Sequence, residues 1–84
     1  MAVYYSPDIL RAARALTDLP AADFAAKAKV SRPALRNAET GEKHVTLETI
    51  ERIQRAYEEL GVEFTLPGPD HGAGVRWRTP QAKS

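Results

Sequence analysis

The sequence predicts a mainly α fold, a small helical bundle of four helices followed by a C-terminal β-hairpin. Three observations carry that reading. Four segments open with a helix-start signal, each with apolar residues at the spacing of a hydrophobic staple. Apolar residues then recur every three or four positions through residues 7–60. After residue 61 the period drops to two, in "VEFTL" (62–66) and "VRWRT" (75–79), with the turn-rich "PGPDHGAG" between them.

Ser6-Pro7-Asp8 starts the first helix, expected over about 7–17. Serine caps, proline suits the first helical position, and aspartate favours the positive end of the dipole. Tyr5 and Leu10 are the staple pair; Ile9, Leu10, Ala13 and Leu16 give the periodic face. The second helix, "PAADFAAKA", is expected over about 20–28, with Leu19 and Phe24 as staple and Pro20 at or beside the cap. Its alanines let neighbouring helices approach closely.

Ser31 caps the third helix, Val30 and Leu35 staple it, and Pro33 lies in its first turn. Thr40-Gly41 supply the stop. Only Lys29 and Val30 separate it from the second helix, which forces a sharp corner. Thr46 caps the fourth helix, stapled by Val45 and Ile50, with Leu47, Ile50, Ile53, Tyr57 and Leu60 as its buried stripe. Glu48–Arg52 and Glu51–Arg55 have the spacing of helical ion pairs, and Gly61 ends the helix. In the hairpin, Val62, Phe64 and Leu66 share a face, as do Val75 and Trp77, and Glu63 is placed to meet Arg76 or Arg78. A lone hairpin is marginal in water. Its apolar face needs a cover, either the fourth helix or a second subunit.

The 84 residues fit one small unit with a limited core. There is no cysteine, and the two histidines, His44 and His71, lie far apart. No metal site, cofactor site or catalytic set is therefore expected. No apolar run approaches the roughly 20 residues of a membrane span, and the first residues do not resemble a signal peptide. A cytoplasmic location is the default expectation.

Net charge is +1, but residues 27–44 hold Lys27, Lys29, Arg32, Arg36 and Lys43 against Glu39 and Glu42, a local +3. Such concentration is the footprint of a nucleic-acid contact. Two short helices, a tight corner, a capped basic helix and a polar loop are the order of a helix-turn-helix, whose second helix enters the major groove. Arg32 and Arg36 are four apart and share a face, where each can grip a guanine edge; Pro33 lies on the same turn. Asn37 borders that face and suits adenine. Ser31, Lys27, Lys29, Thr40, Lys43 and His44 surround it as phosphate contacts.

The pieces "LRAARALTDLP", "FAAKAKVSRPALRNAETG" and "TLETIERIQRAYEELGVEF" resemble the phage-repressor-type (Cro/cI, XRE) helix-turn-helix family, with its lambda-repressor-like bundle. The ending "GVEF…GAGVRWR" is similar to the short tail of one bacterial branch. The resemblance implies an ion pair between Arg14 and Glu39 that orients the third helix. It also marks departures. Pro20-Ala21 stands where relatives often have Ser-Gln, so a phosphate contact is missing. Lys29 replaces the corner glycine, and Ala38 replaces a larger apolar residue.

The expected organisation is a DNA-binding unit over 1–61, a hairpin over 62–79 and a disordered tail over 80–84. The expected activity is that of a transcriptional regulator binding double-stranded DNA as a homodimer on a palindromic operator. Val62, Phe64, Leu66, Val75 and Trp77 are the candidate dimer interface. Two other readings stay open: an antitoxin-like protein whose tail also binds a partner protein, and an interaction adaptor that has lost DNA binding.

Overall fold

The computed structural model describes residues 6–79. Four helices form where the start signals place them: α1 (Pro7–Thr17), α2 (Ala21–Ala28), α3 (Arg32–Thr40) and α4 (Leu47–Glu59). Two strands follow, β1 (Val62–Thr65) and β2 (Gly74–Trp77), paired antiparallel. Expectations about Tyr5 and residues 80–84 fall outside the described residues.

The caps behave unequally. Ser31 Oγ accepts from the Ala34 amide at 3.1 Å, and Thr46 Oγ1 from the Thr49 amide at 3.2 Å. Ser6, expected to cap α1, makes no side-chain cap bond. Its hydroxyl turns to the Asp8 carboxylate, whose Oδ1 already accepts from the Ile9 amide. Asp8 thus competes for the hydroxyl, while Pro7 supplies the helical φ that starts the turn.

The core joins Leu10 and Ala13 of α1, Phe24 and Ala28 of α2, Leu35 and Ala38 of α3, and Ile50, Ile53 and Tyr57 of α4. Phe24 and Tyr57 stack with ring centroids 4.0 Å apart, and Phe64 meets Tyr57 edge-on at 6.2 Å. These rings carry the thread of packing from α2 through α4 into β1. Each fully buried aromatic of this size contributes about 1.5–3 kcal/mol relative to exposure.

The hairpin closes on its own chain. Val62 pairs with Trp77, Glu63 with Arg76, Phe64 with Val75 and Thr65 with Gly74. Val62 is fully buried in the helical core, and Phe64, Val75 and Trp77 pack half-buried against it. Both α1 and α4 supply the cover. Glu63 takes Arg76, with 2.7 Å between Oε1 and Nε. Gly61 makes the turn into β1 at φ +99, and its carbonyl accepts the Arg78 amide at 2.8 Å.

Several expectations need correction. β1 stops one residue short of the expected 62–66, so Leu66 lies past its end and is 52% exposed. β2 starts one residue before the expected 75–79 and stops two residues before its end. Leu47, placed in the buried stripe, is 64% exposed, because the first turn of α4 extends beyond the packed core. Glu48 and Arg52 pair at 3.1 Å, but Glu51 and Arg55 do not. Among the described residues no helix is long and apolar enough to cross a membrane.

Candidate nucleic-acid interface

The corner between α2 and α3 is built on a strained residue. Lys29 closes α2 in the left-handed region, at φ +61 and ψ +42. Its amide donates to the Ala26 carbonyl at 3.2 Å and the Val30 amide to that of Ala25 at 3.1 Å. This bond pair usually falls to glycine, because a Cβ is disfavoured there. The chain therefore keeps the turn that a glycine would make, and keeps a lysine at its apex. Arg52 of α4 braces it, donating to the Lys29 carbonyl at 3.1 Å.

From that corner α3 presents Arg32, Pro33 and Arg36 to solvent on one face. With Arg14, Glu39 and Ala21 they line a shallow depression of about 490 Å³. The small side chain of Ala21 leaves the space that a larger residue would fill. Asn37 is half-buried beside the exposed face. The start of α3 offers fewer amide donors than a generic helix end. Pro33 has no N–H, and the Ala34 amide is taken by Ser31, so the amides of Ser31 and Arg32 are the remaining donors of that end.

The far end of α3 is fixed from α1. Arg14 Nε lies 2.8 Å from Glu39 Oε2. Arg11, one turn earlier, donates from its guanidinium to the Glu39 backbone carbonyl. Glu39 is only 6% exposed. Burial pushes its carboxyl above the ordinary value, and the charges of Arg14 and Arg11 oppose that rise. The buried Tyr57 phenol is pushed up by burial, and further by the Glu39 carboxylate. Its hydroxyl has no hydrogen-bond partner among the described residues.

The surrounding residues do not gather at one spot. Lys43 and His44 border a separate depression beside Pro7 and Gly41. Gly41 ends α3 at φ +73, with its amide donating to the Asn37 carbonyl at 2.8 Å. Thr40 is exposed, and its Oγ1 accepts the Glu42 amide at 3.3 Å. Lys27 and Lys29 border a third depression, on the side of the corner toward α4.

The helix-turn-helix family model matches residues 10–63, from the first core residue of α1 into β1. The chain belongs to the XRE-type helix-turn-helix family. A search of curated proteins returns no match. This family is one of DNA-binding regulators. In the helix-turn-helix frame, α2 and α3 are the unit's two helices, and α1 and α4 are the scaffold that holds them. Sequence reasoning missed Arg11, because a bond to a backbone carbonyl 28 residues away leaves no residue-type signature. Its one signal is the spacing to Arg14, three residues along the same face of α1.

Proposed function

We infer that the protein is a sequence-specific transcriptional regulator that binds a palindromic operator as a homodimer. The observation that carries this is the exposed face of α3, where Arg32, Pro33 and Arg36 stand together on a helix pinned at both ends. Arg32 and Arg36 offer forked donors to guanine edges, Asn37 suits adenine, and the Pro33 ring offers an apolar edge. Ser31, Thr40, Lys43 and His44, with Lys27 and Lys29 at the corner, hold phosphates on either side.

One such module buries little surface, so a second copy supplies affinity and site length. The exposed Leu66 and the half-exposed rims of Phe64, Val75 and Trp77 are the interface of this proposal. Val62 supports them from beneath, since none of it reaches the surface. Regulation then follows from occlusion or recruitment at a promoter.

Selection of bound sequences from random DNA, at a stated salt concentration, tests this. The expected result is a palindromic consensus with half-sites about one helical turn apart. No consensus sinks the reading, and an asymmetric one sinks the homodimer. Sedimentation of Leu66→Glu should show monomers that still melt cooperatively; an unchanged dimer would move the interface elsewhere.

A further inference from the structure

A second cationic surface lies off the α3 face. Lys27 and Lys29 at the end of α2, and Arg52 and Arg55 on α4, line a groove of about 440 Å³ with Glu59 at its edge. Its floor is Ala28 and Ala56, both nearly fully buried, and their small side chains create the depression. Arg52 is partly neutralised by Glu48 at 3.1 Å and is turned toward the Lys29 carbonyl. Lys27, Lys29 and Arg55 form no ion pair among the described residues. The expected partner of Arg55, Glu51, does not reach it, which leaves that guanidinium uncommitted.

Position gives the groove its occupant. Lys29 belongs both to this groove and to the corner that leads directly into Ser31 and α3. The groove thus begins at the corner and lies off the α3 face. In a helix-turn-helix the first helix crosses the DNA backbone, and α2 carries Lys27 and Lys29 of this groove at its end. Clustered cations across a narrow concave floor complement a row of phosphates, not an apolar ligand.

We propose that the α2–α4 groove formed by Lys27, Lys29, Arg52 and Arg55 binds the sugar-phosphate backbone of DNA flanking the operator. This rests on the reading of α3 as the DNA-recognition helix. It extends the footprint beyond the bases that α3 touches. The groove adds affinity and salt dependence without sequence preference.

The test uses the full chain, the selected operator, and Arg55→Gln. Arg55 is exposed and is not one of the residues assigned to the operator, so the fold and the consensus should persist. Affinity is measured across salt on two duplexes: the operator alone, and the operator extended by roughly 10 base pairs, one helical turn, on each side. On the extended duplex, the slope of log affinity against log salt should fall by about 0.9 for every phosphate that each subunit no longer neutralises. On the trimmed duplex it should not change. An equal drop on both duplexes, or none on either, overturns the proposal. Weakened binding to a polyglutamate peptide with DNA affinity intact overturns it in favour of an acidic protein partner. If Arg36→Ala weakens operator binding while the groove variant does not, only this inference fails. If wild-type protein selects no sequence, the parent reading fails with it.

Discussion

Arg14 Nε stands 2.8 Å from Glu39 Oε2, so a single ion pair ties the last turn of α1 to the last turn of α3. Removing one member strands the other. Arg14→Met leaves the Glu39 carboxylate buried and unmatched. A fully buried pair loses roughly 3–5 kcal/mol in that way. Arg14 keeps 34% of its side chain exposed, so solvent screening reduces the loss. Urea unfolding at pH 7 should show a destabilisation of about 2 kcal/mol, and the double variant with Glu39→Gln should recover part of it. Full additivity of the two changes would contradict direct pairing.

Glu39 also predicts a pH dependence. Burial raises its carboxyl above the ordinary 4.5 in the folded protein. Between the unfolded and folded values the native state therefore binds more protons than the unfolded state. Stability from this group is full below the unfolded value and declines as pH rises through the folded one. In Glu39→Gln the decline just above pH 4.5 should flatten. A wild-type curve that instead rises there more steeply than the variant's would mean the Arg14 and Arg11 charges outweigh burial.

Lys29 at φ +61 predicts a stabilising substitution. Lys29→Gly relieves the Cβ at the corner while keeping both amide bonds of the turn. The gain should be up to about 1 kcal/mol, read from chemical unfolding. The same change removes a cation from the corner, so DNA affinity should fall as stability rises. Stability that falls would show that the side chain, not the backbone, governs this turn.

Arg36→Ala should weaken operator binding by about 1–3 kcal/mol and relax preference at one base position. Fluorescence anisotropy on the operator and on single-base variants reads both effects. Equal weakening on unrelated DNA would place Arg36 on a phosphate instead of a base.

Helix positions were legible because their signals are local. Ser31, Pro33 and Gly41 act within one turn of themselves, and the staple pairs sit five residues apart. The α3 face was legible for the same reason, since Arg32 and Arg36 need only helical geometry to align. What the sequence concealed depends on neighbours distant along the chain. Leu47 fits the apolar period, yet no element among the described residues covers it. Arg55 has Glu51 at ideal spacing, yet it lines a groove with Lys27 and Lys29 instead. Ser6 looks like a cap, and Asp8 draws its hydroxyl away. The αL geometry of Lys29 comes from the amide bonds that end α2; the glycine of relatives marks the position, while the lysine itself does not announce it.

The ring column of Phe24, Tyr57 and Phe64 links the helix-turn-helix to the hairpin through α4. Its middle ring belongs to α4, and its outer rings belong to the helix-turn-helix and to the hairpin. Loosening either end uncovers one side of Tyr57 and removes a ring contact that the other end shares. A protease that trims the hairpin would therefore also weaken the packing beneath the helix-turn-helix, so the trimmed protein should hold its sites less firmly than the whole one.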